Sequence, residues 1–268
     1  MIDLAIIIVN YKMREHVREC LASIHHDLQR TTLNVRIVIV DNDSRDGIEG
    51  VIARSPLQNK ITPVMLSENR GYGFGVNKGL RAVQARYYLI INPDITFFEQ
   101  HTSDRLVAFM DSHPHVGIAG PKLLNTDGTL QHSCWRFPRW YTPLVRRTFL
   151  GNTSRGRKEI DRFLMKDFDH KRTQPVDALM GSAMIVRGEL LESVGYMSDE
   201  YFMYFEDIDW CKTFWSHHKS VYYIHDIVLR HGWQRASAKI KGIKAFFLDK
   251  LTRTHVKSAI KYFLKWGI

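Results

Sequence analysis

Short apolar runs separated by polar clusters dominate the first hundred residues. Leu4–Val9 is continuously apolar, which predicts a strand buried on both faces of a sheet. Val17, Leu21, Ile24 and Leu28 then recur at helical spacing. Val35–Val40 is a second, β-branched strand ending at Asp41-Asn42-Asp43-Ser44, and Ile61–Leu66 is a weaker third. A helix is predicted over about 76–84. Tyr87–Ile91 forms a fourth strand ending at Asn92-Pro93-Asp94. This strand–helix alternation predicts an α/β fold whose sheet is mostly parallel and flanked by helices. Ligands of such sheets bind beyond the carboxyl ends of the strands. Polar clusters follow three of these strands, at Asn10-Tyr11, Asp41-Asn42 and Asn92-Pro93-Asp94, and predict a nucleotide pocket there.

The pattern changes in the middle of the chain. Asn125-Thr126-Asp127-Gly128 between apolar flanks reads as a hairpin turn. Residues 135–172 read as an irregular basic and aromatic excursion, either a loop over a ligand or a solvated surface segment. Order returns at Val176–Val186, whose small residues Gly181-Ser182-Ala183 permit close backbone approach. A strand over Ser220–His225 follows, then Arg230-His231-Gly232-Trp233.

Residues 200–209 carry the densest candidate chemistry: Tyr201, Phe202, Tyr204 and Phe205 run into Glu206, Asp207 and Asp209. A helix beginning near Phe205 puts Glu206 and Asp207 in its first turn, where the dipole tolerates negative charge. Asp209 returns to the Glu206 face. The aromatic run suggests a dry wall, which raises a carboxyl pKa and makes a candidate general base. An ordinary acidic helix start is the plainer alternative for these residues taken alone.

Composition adds three constraints. No apolar run of about 18 residues occurs, so no membrane-spanning helix is expected, and the first residues read as a strand rather than a signal peptide. Cys20, Cys134 and Cys211 are odd in number and widely spaced, which fits a reducing cytoplasm and no disulfide framework. Of the net charge of +10, residues 239–268 hold +7, from eight Lys or Arg against one Asp. Lys257, Lys261 and Lys265 form one helical stripe, with Val256, Ile260, Phe263 and Leu264 beside it; Ile240, Ile243, Phe247 and Leu251 mark an earlier amphipathic segment. Two amphipathic helices are expected, either docking on an anionic membrane surface or packed as a solvated face on the rest of the fold.

The motifs together resemble the inverting glycosyltransferases of family 2, with a GT-A fold, and most closely the bacterial rhamnosyltransferases of O-antigen and related polysaccharides. The matching stretches are Ile8-Val9-Asn10-Tyr11, Val40 to Ser44, Asn69 to Asn77, Ile91 to Asp94, Gly181-Ser182, Tyr201 to Asp209, and His231. They follow one another in the family's order from about residue 3 to residue 237.

The resemblance implies a catalytic domain over 1–237, with a nucleotide-binding half to about 120 and an acceptor-binding half from 121, followed by a basic helical tail at 238–268. Asp207 would be the catalytic base, with Glu206 orienting the acceptor or the base. Val9, Asn10, Tyr11, Asp41, Asn69, Arg70, Gly71, Gly73, Asn77, Asn92 and Pro93 would line the donor site. Gly181, Ser182 and Tyr204 would face the acceptor. Asp94 occupies the metal position of a DxD-like motif whose first acid is here Asn92, and His231 would complete a site for Mg²⁺ or Mn²⁺. The implied donor is a nucleotide-diphosphate sugar, dTDP-L-rhamnose or another hexose. The implied acceptor is a polyprenyl-diphosphate-linked saccharide at the cytoplasmic face of the inner membrane. A nucleic-acid-binding protein is the competing reading, on charge and aromatic content. It leaves the acidic cluster unexplained, so no nucleic-acid partner is expected.

Overall fold

The computed structural model describes residues 1–232 and 250–267. Ile2–Asn10 (β1) lies between two parallel neighbours, Val35–Asp41 (β2) and Ala85–Ile91 (β4), and β2 pairs in parallel with Ile61–Met65 (β3). The remaining strands are Ile95–Thr96 (β5), Val116–Leu124 (β6), Leu130–Gln131 (β7), Cys134–Trp135 (β8), Gln174–Pro175 (β9), Ala178–Leu179 (β10), Ala183–Arg187 (β11) and Ser220–His231 (β12). The sheet order is β3-β2-β1-β4-β11-β6-β12-β5. Strand β11 runs antiparallel to both β4 and β6, while β12 is parallel to β6.

Among the described residues the α-helices are Arg14–Asp27 (α1), Ile48–Ala53 (α2), Tyr72–Ala82 (α3), Thr102–Ser112 (α4), Thr142–Arg147 (α5), Ser154–Phe163 (α6), Leu191–Val194 (α7) and Glu206–Ser216 (α8), with a C-terminal helix at Lys250–Trp266. Successive side chains of a strand point to opposite faces, so the apolar run of β1 feeds two cores. Ala5, Ile7 and Val9 join α3, α8 and the C-terminal helix through Val76, Leu80, Phe214 and Tyr262. Leu4, Ile6 and Ile8 join α1 and α4 through Val17, Leu21, Leu106 and Met110. The three cysteines are unpaired and buried. No helix among the described residues is long and apolar enough to cross a membrane.

The structure revises several sequence expectations. Helix α3 starts at Tyr72 rather than near 76, so Gly73 and Gly75 lie within it. Glycine is a poor helix former, and tertiary packing overrides that: a Cβ at Gly75 would stand 2.8 Å from Val9 Cγ1. Order does return over 176–186, as β10 and β11 on either side of a turn at Met180-Gly181-Ser182. Residues 135–172 are not irregular; they contain α5 and α6. Strand β12 continues past His225 to His231. Of the earlier amphipathic segment, Ile240, Ile243 and Phe247 lie outside the described residues, as does Trp233.

The C-terminal helix buries His255, Ala259 and Tyr262, while Ile260 and Leu264 of the expected apolar stripe are exposed. Two members of the lysine stripe reach back to the domain instead of facing solvent alone. Lys261 donates to the Glu200 carbonyl and Lys265 to the Asp209 carboxylate.

Candidate functional site

Register brings together the residues expected on the nucleotide side. Asn10 and Asp41 are partners at the carboxyl ends of β1 and β2. Asn10 Nδ2 donates to Asp41 Oδ1 at 2.8 Å, and the Ser44 N–H donates to Asp41 Oδ2 at 2.9 Å. Both Asp41 oxygens therefore take part in a strand-end turn of the Asx type, with Asp41 and Asn10 buried. Asp43 pairs with Arg45. Val9 packs against Gly75, and Tyr11 is exposed.

The Asn69–Gly73 turn forms the next wall. Asn69 Oδ1 accepts from the Gly71 N–H at 2.9 Å and from Asn42 Nδ2 at 3.0 Å. Gly71 has φ +107, and a Cβ there would overlap the Phe202 carbonyl, so glycine is required twice over. Arg70 is half-exposed, with its guanidinium 4.2 Å from the Phe74 ring. Asn77 faces away from this wall: it is buried and donates to the Met197 carbonyl at 2.7 Å. Gly73 backs onto Ser198 and the Glu206 side chain.

Tyr72, which the sequence reading passed over, ties the parts of the site together. Its N–H donates to the Phe202 carbonyl at 3.0 Å and its hydroxyl to the Gly181 carbonyl at 2.7 Å. Burial pushes the Tyr72 hydroxyl well up, and the charges of Glu206, Asp207 and Asp94 push in the same direction. Three carboxylates from two distant segments thus lie within electrostatic reach of one phenol. The only sequence signal for Tyr72 was its place inside the glycine run.

Glu206 and Asp207 open α8, behind two consecutive left-handed residues, Tyr204 at φ +71 and Phe205 at φ +72. Such backbone is costly for aromatic residues and persists only where its surroundings over-determine it. Asp207 Oδ2 accepts the Gly181 N–H at 2.9 Å and Oδ1 accepts the Ile208 N–H at 2.8 Å. Burial nevertheless raises the Asp207 pKa. Glu206 is buried, and its Oε2 has no hydrogen-bond partner among the described residues. Burial first, and the neighbouring Asp207 second, hold its carboxyl well above the usual range. Ser182 is buried beside Gly181, and its carbonyl accepts the Asn92 N–H at 2.9 Å, linking this turn to the end of β4.

Asp94 and His231 lie far apart in sequence and meet through the β5–β12 pairing, where His231 is opposite Ile95. The Gly232 N–H donates to the Asp94 carbonyl at 2.8 Å. His231 Nδ1 is 2.7 Å from Gln131 Oε1, and the Gln131 amide nitrogen donates to Asn125 Oδ1 at 3.0 Å. That chain makes Gln131 Oε1 the acceptor and places the imidazole hydrogen on Nδ1. His231 Nε2 stands 3.3 Å from Asp94 Oδ1 and has no hydrogen-bond partner among the described residues. With a proton on Nε2 the two form an ion pair; with Nε2 bare they form a nitrogen and oxygen donor set for a cation. A cavity of about 200 Å³ borders Asp94, lined also by His16, Glu19, Pro93, Arg230 and Gly232, and His231 is buried outside that lining. No group of three or more His, Cys, Asp or Glu capable of holding a metal occurs among the described residues. The pair therefore fits a hard cation that takes its other ligands from diphosphate oxygens and water.

Three comparisons with known proteins bear on this geometry. A family profile described as glycosyl transferase family 2 matches residues 5–194. The chain is 24% identical over 213 residues to the low-salt glycan biosynthesis hexosyltransferase Agl10 of Haloferax volcanii, covering 78% of this chain and 60% of that relative. It is 25% identical over 221 residues to an N-acetylglucosaminyl-diphospho-decaprenol L-rhamnosyltransferase of Mycobacterium tuberculosis, covering 77% and 68% respectively. In fold it is similar to GalNAc-T7, solved with UDP, GalNAc and Mn²⁺, at TM-score 0.65 and 11% identity over 98% of this chain and 48% of that one.

Proposed function

We propose, from the premise that the chain belongs to glycosyl transferase family 2, that it transfers a sugar from a nucleotide diphosphate to an acceptor hydroxyl with inversion. The observation that carries this reading is the juxtaposition around Tyr72: its buried hydroxyl bonds the Gly181 carbonyl, next to the N–H that holds Asp207, and feels the charges of Glu206 and Asp207 at the start of α8 and of Asp94 beyond β4. Asp207 is the general base. It takes the acceptor's hydroxyl proton as that oxygen bonds to the anomeric carbon and the sugar–phosphate bond breaks, its electron pair leaving with the diphosphate. The raised pKa of Asp207 suits proton uptake. Glu206 and the Gly181 N–H set the orientation of the base. The two partners have different work: Gly181 holds Asp207 directly, whereas Glu206 acts through its charge and position.

Val9, Asn10, Tyr11 and Asp41 form the nucleotide end of the donor site, and Asn69, Arg70, Gly71, Gly73, Asn92 and Pro93 form the diphosphate and sugar end. Asn77 supports that wall from behind. Asp94 and His231 hold a divalent cation, Mg²⁺ or Mn²⁺, which when bound neutralises charge on the diphosphate. Gly181, Ser182 and Tyr204 border the acceptor.

We assign L-rhamnose from dTDP-L-rhamnose as the sugar and a polyprenyl-diphosphate-linked saccharide, in surface polysaccharide assembly, as the acceptor. The mycobacterial relative's name supports both the sugar and the acceptor class. The Haloferax hexosyltransferase supports a second reading in which the fold and base are kept and the donor is another hexose. Exposed Ile260 and Leu264 beside Lys257 support peripheral contact with an anionic membrane at the cytoplasmic face.

Calorimetric titration with dTDP-, UDP- and GDP-sugars, with and without Mg²⁺ or Mn²⁺, tests the assignment. Selective, metal-enhanced binding of dTDP-L-rhamnose is expected. Selective binding of a UDP- or GDP-sugar would overturn the rhamnose assignment alone, and binding of none would overturn the transferase reading.

A further inference from the structure

The basic C-terminal helix spends its polar groups on residues 200–209. Ser258 Oγ donates to the Met203 carbonyl at 2.8 Å, and Lys261 Nζ donates to the Glu200 carbonyl at 2.6 Å. Lys265 Nζ reaches Asp209 Oδ2 at 2.7 Å, and Trp266 Nε1 donates to Asp209 Oδ1 at 2.7 Å. Asp209 is 1% exposed. Both of its oxygens are thus satisfied by a helix some fifty-six positions away in sequence. A buried carboxylate tolerates ionisation only with such partners.

The stretch held in this way is the strained one. Tyr204 and Phe205 adopt left-handed backbone immediately before Glu206 and Asp207. Rings of the same helix pack on them: His255 lies 5.1 Å from Tyr204 and 5.3 Å from Phe205, and Tyr262 lies 5.3 Å from Phe205. On its other side the stretch presents the Phe202 carbonyl to the Tyr72 N–H. The turn that aims the carboxylates is therefore gripped between Tyr72 and the C-terminal helix.

We infer that the C-terminal helix is a positioning element of the active site. Lys265 and Trp266 act through Asp209, and Ser258 and Lys261 act through the main chain of residues 200–203, to hold the turn that points Asp207 at the acceptor. This rests on the reading of Asp207 as the base. The four donors are positioning residues: none touches the reacting atoms. Their inward work is compatible with an outward membrane contact through Ile260 and Leu264, which lie on the exposed side of the helix.

The test uses the 268-residue chain with Lys265→Met, Lys265→Arg, Trp266→Phe and the double variant Asp209→Asn/Lys265→Met. Donor Kd and binding stoichiometry are read by calorimetry, and kcat by nucleoside diphosphate release at saturating acceptor. Lys265→Met is expected to lower kcat about tenfold to a hundredfold, the scale of a misplaced catalytic group, with donor Kd and stoichiometry unchanged. Lys265→Arg should recover most of the rate. The double variant leaves no buried charge unpaired, so it reports on positioning where the single variant fails to fold, and its kcat should stay low.

A wild-type kcat in the double variant would overturn the inference. So would a rate loss matched by an equal loss of donor-binding stoichiometry, which signals a smaller folded fraction. Asp207→Asn serves as the control. If it is inactive while the helix variants are normal, only the positioning role fails; if it is fully active, the base assignment fails first.

Discussion

Replacing Asp207 by Asn changes one charge and very little volume, and the structure says what that exchange disturbs. Asp207 receives two main-chain N–H groups, Gly181 at Oδ2 and Ile208 at Oδ1. An asparagine has a single carboxamide oxygen, so one of these donors would face an NH₂ group and lose its acceptor, at about 1–3 kcal/mol. Removing one of two adjacent buried acids relieves Glu206, whose pKa is raised partly by Asp207, and this offsets some of that loss. The folded state is therefore expected to survive. The rate is a separate matter. A positioned general base contributes about 10²–10⁴-fold, or roughly 3–5 kcal/mol of barrier. Donor affinity should hold, because the proposed donor contacts lie on β1, β2, the Asn69–Gly73 turn and the end of β4. The assay pairs nucleoside diphosphate release, with acceptor present, with calorimetric donor titration of the same preparation. A variant retaining kcat within about threefold of the parent, well under the loss expected of a missing base, would refute the assignment. So would an inactive variant that has also lost donor binding.

Further outcomes follow from the same geometry. Glu206 has a raised folded pKa, so the stability it contributes is fully present below the unfolded carboxyl pKa and is lost as pH rises through the folded value; Glu206→Gln should remove that decline, seen as a flatter melting temperature as pH rises above the unfolded carboxyl pKa. Transfer needs Asp207 ionised, so the wild-type rate should fall on acidification at a higher pH than an ordinary aspartate would give, read from a kcat–pH profile. Gly71→Ala forces a Cβ at φ +107 into the Phe202 carbonyl and should destabilise by about 1–3 kcal/mol or more in urea unfolding; an unchanged midpoint would mean the turn is less constrained than described. Chelation with EDTA should weaken donor binding in the parent but leave Asp94→Asn/His231→Ala unaffected, since that pair would no longer hold the cation; an equal EDTA effect in both would place the metal elsewhere.

The continuous apolar runs of β1, β2 and β4, and the polar residues at their ends, were legible in the chain because strand burial and strand ends are written in local patterning. So was the start of α8 at Glu206, where aromatic residues give way abruptly to acids. The glycine-rich start of α3 was not legible, because its helical state is imposed by Val9 on one side and the Phe202 loop on the other, against glycine's own preference. Nor was the break between β10 and β11, which depends on the Gly181 turn meeting Tyr72 and Asp207. The sequence could nominate Asp94 and His231 only through a family's motif order; their 3.3 Å approach is decided by the short β5–β12 pairing. Lysines at every fourth position announced a basic helical stripe, but the destination of two of them depends on tertiary contacts. Periodicity reports which face of an element is apolar over a few residues. It carries no information about which distant carbonyl or carboxylate that face will meet, because that is determined by strand order and crossover, and here it turned a basic tail into a support for the carboxylates of α8.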